Sequence, residues 1–269
     1  MTSNISHGID YHNIKLVEHQ KNLYNIIIDK IVPISEEQKV FGINSKDDIK
    51  KLGLLIIEPR EHEWLKGVLL NMAHVYGGKN CPLFIVHGNK NETFVKNILH
   101  DWVNVNYLKL DIDNLNISQY NNLLTNPSFW SNFHTKHILL FQTDSFIRKE
   151  IPEIFFIYDY IGAPWPWFPV KNNRRVGNGG FSLRNVQAMI KICSNHEYDE
   201  EKYIAEDIFF STYVDIDMCP PIMLASLFAV EHIYSNDPVG LHQVYRFQNF
   251  DDIFGLMNNK AGVPQLQYK

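Results

Sequence analysis

Apolar residues come in short blocks along this chain, and their spacing sorts the blocks into two kinds. KLGLLIIEPR, residues 51–60, is apolar at nearly every position from Leu52 to Ile57, the pattern of a strand covered on both faces. EHEWLKGVLLNMAHVYG (61–77) follows with helical spacing. The alternation then repeats. PLFIVHG (82–88) reads as a strand, NETFVKNILHDW (91–102) as a helix with Asn91 as its cap, and NYLKLDI (106–112) as a third strand. SQYNNLLTNPSFWSNF (118–133) is helical with a break near Pro127, and HILLFQTD (137–144) is the fourth strand. Strand–helix units in series predict an α/β fold: a mostly parallel central sheet with helices on both faces.

Beyond Asp144 the rhythm changes. IPEIFFIYDYIGAPWPWFPV (151–170) carries four prolines, so no long regular element fits there. NNRRVGNGGFSLRN (172–185) joins a basic turn, three glycines and a short strand. VQAMIKICSNH (186–196) and AEDIFFSTYV (205–214) have helical spacing, and the remainder reads as short strands and loops. The expected organisation is an extension over 1–48, one domain over 49–254 with an irregular C-terminal half, and a tail over 255–269.

Composition narrows the function classes. The chain has 269 residues, 45% hydrophobic and 13% aromatic, enough for a full core and for stacking surfaces. A net charge of -5 argues against a protein that coats nucleic acid, while leaving room for a local basic pocket. Cys81, Cys193 and Cys219 are scattered and odd in number, so neither a zinc ribbon nor a dithiol site is indicated. Reduced thiols, the absence of an apolar export segment near the start and apolar runs of strand length predict a soluble, cytoplasmic protein with no membrane span.

Several residues have two readings. Asp144 closes the fourth strand, at the sheet edge where parallel sheets bind ligands, but an Asp there also serves as a helix cap. GNGGFS fails the dinucleotide fingerprint because Ser182 stands where the third glycine is required; its glycines fit either a close backbone approach to a ligand or a tight turn. Glu206 and Asp207 open a helix, where acids favour the dipole, or one of them serves as a general base. HEWLK (62–66) fails the HExxH zinc pattern at Lys66, and no G-x-S-x-G occurs. Trp165 and Trp167 are either proline-locked core or a stacking platform for a sugar face.

The order FQTDS, YDYIGAPW, GNGGFSLRN, ED and a late GLH, together with LLIIEPREHEWL and YNNLLTNPSFW, resembles a largely uncharacterised family classed with the GT-A glycosyltransferases. The likeness covers roughly residues 50–250. It implies a soluble bacterial or viral transferase, acting in the host cytoplasm if viral, that moves a sugar from a nucleotide-sugar donor, a UDP-sugar first, to a hydroxyl of a glycan or small-molecule acceptor. GT-A enzymes end a central strand in a D-x-D triplet. Here the triplet is Gln142-Thr143-Asp144, with an amide in place of the first acid. The resemblance makes Asp144 and His242 ligands of Mn2+ or Mg2+, and Gln142 and Thr143 donor contacts. Asp207 becomes the base of an inverting displacement, with Glu206 holding donor or acceptor. Arg60 and Glu61 lie near base and ribose, Gly177, Asn178, Gly179 and Gly180 line the donor sugar, and Trp165 and Trp167 face the acceptor. Two rivals stand beside this expectation: a catalytically silent nucleotide- or glycan-binding module, and a glycoside hydrolase using a carboxylate pair.

Overall fold

The computed structural model describes residues 30–167 and 176–258, together with residues 18, 21 and 22. A six-stranded sheet organises them. Strand β1 (Lys50–Ile57) lies between β2 (Leu83–His87) and β4 (Thr135–Phe141), and β3 (Val105–Lys109) pairs with β2; these four are mutually parallel. β7 (Phe181–Asn185) runs antiparallel to β4, and the two-residue β6 (Tyr160–Ile161) closes the order β3-β2-β1-β4-β7-β6. The fold is therefore α/β with a mostly parallel sheet, as the alternation predicts.

The unbroken apolar run of β1 follows from the two covered faces. Successive side chains in a strand point to opposite sides. Leu54 and Ile56 join one core cluster with helix α1 (Leu65–Tyr76), while Leu55 and Ile57 join the other with Phe84, Val86, Trp130 and Phe210. Gly53 is the exception in that run, and its neighbours explain it: a Cβ there would lie 2.9 Å from both Ile138 Cδ1 and Phe84 Cε2.

On the second face lie α3 (Ile117–Leu124), α4 (Pro127–Trp130), α5 (Val186–Asn195) and α6 (Glu206–Tyr213); α2 (Glu92–Ile98) crosses between β2 and β3. Pro127 stands in the first turn of α4, where its missing N–H leaves nothing unpaired, so the expected break is a clean restart. Asn116 caps α3 in a full capping box. Asn91 does not cap α2. Fully buried, it accepts from the Gly88 amide at 2.9 Å and donates to the carbonyls of Glu58 at 2.7 Å and Arg60 at 3.0 Å. It thus ties the loop after β1 to the loop after β2.

The expected strand 137–144 ends earlier. The chain leaves the main sheet at Phe141, and the tight turn Gln142–Asp144 delivers it to β5 (Ser145–Ile147) of a second, three-stranded sheet. There β5 pairs with β9 (Gly240–His242), and β8 (Ala229–Val230) completes the sheet. Three helices in the C-terminal part were not anticipated: α7 (Ile222–Phe228), α8 (Val244–Phe247) and α9 (Phe250–Asn258). Both expected boundaries also shift. Ile34 and Phe41 are buried in the main core and Phe41 stacks on Trp102, so residues 31–48 belong to the domain. At the other end Leu256 and Met257 are buried, and the Leu256 carbonyl accepts from Arg148 Nε at 2.7 Å. The first 29 residues of the expected extension, apart from 18, 21 and 22, and residues 259–269 of the expected tail lie outside the described residues.

Candidate functional site

From β1 the chain winds to β2 and β3 on one side, then crosses to β4 on the other. The switch point therefore lies between the carboxyl ends of β1 and β4, where open α/β sheets bind ligands. A cleft of about 510 Å³ opens there, of a size that suits a small-molecule ligand. Glu58, Arg60 and His62 line it from the β1 side, Gln142, Thr143 and Asp144 from the β4 side, and Asn116, Ile117 and Tyr120 from the start of α3. Trp64, Tyr245 and Arg246 form a further wall.

At the floor, four groups meet. His242, buried at the end of β9, places Nε2 3.0 Å from Gln142 Oε1 and 3.4 Å from Asp144 Oδ1. Its Nδ1 faces Glu231 Oε1 at 3.1 Å, and the other Glu231 oxygen faces His232 Nδ1 at 2.9 Å. Burial works against a charged imidazole, but Asp144 and Glu231 outweigh it and raise His242 to about 10. Burial likewise raises Asp144, and the imidazolium of His242 more than reverses this to leave it below the usual carboxylate range. Tyr245 donates to Asp144 Oδ2 at 3.3 Å, while the buried Asp144 Oδ1 has no hydrogen-bond partner.

The donor set fits a hard divalent cation. An amide oxygen and a carboxylate oxygen lie 3.0 and 3.4 Å from one imidazole nitrogen, donor types that such a cation takes. Glu231 behind Nδ1 supplies the outer carboxylate that orients a metal-bound histidine. Beyond this pair, no group of three or more His, Cys, Asp or Glu side chains suited to a metal occurs among the described residues.

Asp207 is not among the residues that line the cleft; it is joined to the His242 contact through the adjacent residues Gly179 and Gly180. The Gly179 amide donates to Asp207 Oδ2 at 3.1 Å, and the Ile208 amide to Oδ1 at 2.7 Å. Gly180, the next residue, lies against His242. Burial, then the neighbouring charge of Glu206, pushes the Asp207 carboxyl up to about 7. A proton-accepting group is most useful with a pKa near the working pH.

Other site expectations are placed differently. Glu206 is buried, with both oxygens held by the fully buried Arg184 at 2.7 and 3.0 Å, so it serves an internal ion pair rather than a sugar. Arg184 in turn lies over the rings of Tyr160, Phe210 and Trp130. The glycines of residues 177–180 do not leave space for a ligand, because this chain fills it. A Cβ on Gly180 would fall no farther than 2.5 Å from three ring atoms of His242, and one on Gly179 would lie 2.5 Å from Glu206 Oε1. Gly177 has φ +129° and faces Ser211 and Tyr160. Asn178 Oδ1 accepts from the Gly180 amide at 3.1 Å, which keeps the loop tight. Glu61 is exposed and does not line the cleft; Glu58 does so instead, clasping Arg60 through Nε and Nη2 at 2.8 Å each. Trp165 is buried, which withdraws it as a stacking surface, whereas Trp167 is 48% exposed and meets His232 edge-on at 4.7 Å. The basic turn Arg174-Arg175 lies outside the described residues.

Sequence reasoning overlooked Glu58, His62, Tyr120, Arg184, Glu231 and Tyr245. Glu58 had a signal, since it follows β1 directly. Glu231 had none, because its role depends on a pairing between distant strands.

Residues 102–242, just over half of the chain, match the model of a family described as a protein of unknown function (DUF5672). The chain belongs to this family. No curated protein matches it. Among solved structures, it is similar to S. aureus TarS residues 1–349, with 14% identity, TM-score 0.44, and 60% of this chain against 54% of that one. A structure of S. aureus TarS gives 12% identity and TM-score 0.45 over 77% and 38% of the two chains. The glycosyltransferase GlyE of Streptococcus pneumoniae TIGR4 gives 9%, 0.43, and 73% against 55%. The chain thus spans about half or less of these proteins. No helix among the described residues is long and apolar enough to cross a membrane.

Proposed function

We propose that this DUF5672 member transfers a sugar from a nucleotide-sugar donor, a UDP-sugar first, to a hydroxyl of a glycan or small-molecule acceptor. The observation that carries the reading is the cleft at the β1/β4 switch point, with Asp144 in its lining and His242 buried behind it, 3.4 Å from Asp144 Oδ1. Asp144 and His242 would hold Mn2+ or Mg2+, with Gln142 beside them. Asp144 Oδ1, which accepts no hydrogen bond and meets His242 only as an ion pair at 3.4 Å, and the carboxylate behind His242 are the observations that suit them to that task.

When bound, the metal would neutralise charge on the departing diphosphate. Arg60, pinned by Glu58, presents its guanidinium to the same cleft, and Tyr120 and Tyr245 offer phenol groups. Asp207 accepts the proton of the acceptor hydroxyl as that oxygen attacks the anomeric carbon. Its hydrogen bond to the Gly179 amide ties it one residue away from Gly180, which lies against His242. One base opposite the leaving group gives inversion. Trp167 is the remaining candidate for the acceptor side.

The test is calorimetric titration of UDP, GDP and TDP, with and without Mn2+, into the parent protein and Asp144→Ala. Metal-dependent binding of one nucleotide that the substitution abolishes supports the reading. Binding of none, or binding indifferent to both metal and Asp144, defeats it.

A silent nucleotide-binding module is the second reading, and the neutral Gln142 on His242 favours it. Nucleotide binding without sugar transfer, unaltered in Asp207→Asn, would establish it. The carboxylate-pair hydrolase loses ground because Glu206 is committed to Arg184.

A further inference from the structure

The segment His62–Lys66 fails the HExxH zinc pattern, and the function proposed above gives its residues no role. The local geometry gives His62 a separate task. The backbone N–H of Trp64, which can only donate, lies 3.1 Å from His62 Nδ1. Nδ1 must therefore carry the lone pair, and the ring hydrogen of the neutral imidazole sits on Nε2. Burial outweighs the nearby Glu58 charge and, with Arg60 adding to it, keeps this histidine below its ordinary pKa, in the neutral form that this hydrogen bond requires. Nε2 has no hydrogen-bond partner among the described residues, and His62 lines the cleft. The imidazole is therefore a fixed N–H donor directed by its own backbone.

Two cations also line the same cleft. Lys21 rests over the Trp64 ring at 5.2 Å and Arg246 over the Tyr245 ring at 5.9 Å, and neither has a carboxylate partner among the described residues. Lys39, Lys51, Lys79, Lys90, Lys96 and Lys149, by contrast, are each matched to an acid, in a chain whose net charge is -5. Donors and cations without an acid partner gathered in one cleft are what an anion requires. Trp64 and Tyr245 meet edge-on at 6.1 Å and Tyr245 reaches Asp144, so this wall adjoins the proposed metal ligand.

We infer that His62 is a ligand-binding residue that donates Nε2–H to a phosphate oxygen of the bound nucleoside diphosphate, with Lys21 and Arg246 supplying charge in the same cleft. This rests on the donor-site reading above and deepens it. It places part of the diphosphate recognition on protein groups rather than on the metal.

The experiment measures UDP and uridine affinity by calorimetry at fixed Mn2+ for the parent, His62→Phe and His62→Gln. A lost hydrogen bond to a charged group predicts UDP affinity weakened roughly 10- to 100-fold in His62→Phe. Uridine, which has no phosphate, should be unaffected. His62→Gln, whose amide offers an N–H, should recover much of the loss. Long-range 1H–15N spectra of the parent should show Nδ1 unprotonated and Nε2 protonated. UDP affinity in His62→Phe equal to the parent's, an equal loss for uridine, or a protonated Nδ1 would overturn the assignment and leave the donor site standing. Failure of the parent itself to bind UDP, GDP or TDP would overturn both.

Discussion

Replacing Asp207 with Asn should change stability in opposite directions at low and high pH. The carboxyl is held at about 7 in the folded protein, against an ordinary 3.8. Between those values the folded chain binds a proton that the unfolded chain has released. Stability therefore falls as pH rises from about 4 to about 7, and the loss is complete above 7. At roughly 1.4 kcal/mol per pH unit, it reaches about 4 kcal/mol. The Asp207→Asn variant escapes that penalty but introduces another. Asp207 accepts two amide hydrogens, from Gly179 and Ile208, and an Asn side chain offers only one oxygen. Facing a donor with a donor costs about 1–3 kcal/mol at every pH. The variant should be less stable than the parent at pH 4, equal near about pH 5, and more stable by about 2 kcal/mol at pH 8. Urea unfolding of both proteins across that range, with constant m-values, measures the difference. A difference that stays flat from about pH 4.5 to 8 would refute the reasoning, because it would mean that the carboxyl is not raised. In the same range, sugar transfer by the parent should climb through about pH 7 as the base ionises.

Three further perturbations test other contacts. Gly180→Ala drives a methyl group into the His242 ring while the Gly180 carbonyl stays tied to the Gln142 amide and the Ser145 hydroxyl; it should cost at least about 1–3 kcal/mol and abolish Mn2+ binding, read by thermal unfolding and calorimetry. Arg184→Met strands the buried Glu206 charge and should destabilise by about 3–5 kcal/mol, whereas Arg184→Met combined with Glu206→Gln should recover part of that in denaturant unfolding. Asn91→Ala leaves one buried amide and two carbonyls without their partner; it should cost about 2–4 kcal/mol and raise the Kd for UDP, because the loop bearing Glu58, Arg60 and His62 loses its tie.

The two halves of the site were not equally legible. Asp144 could be placed at the sheet edge because the apolar run before it is local and its length fixes where the strand ends. Asp207 could be placed on a helix start for the same reason. The fate of Glu206 could not be read, since nothing local says that the arginine of FSLRN is buried beneath it. Glycine spacing was equally ambiguous: a missing side chain marks a close approach, but only the fold reveals that His242, rather than a ligand, makes it.

Sequence alone therefore determined the parallel α/β sheet, through double-sided burial of runs such as Leu54–Ile57, while the turn that ends β4 at Phe141 came from the structure. Tertiary structure decided the second sheet, because β5, β8 and β9 are two or three residues long and gain their order only by pairing across the chain. It also decided which carboxylates face the cleft. Periodicity records how a segment meets the core, whereas the direction of one charged side chain depends on a partner that can lie a hundred residues away, as Gln142 does from His242.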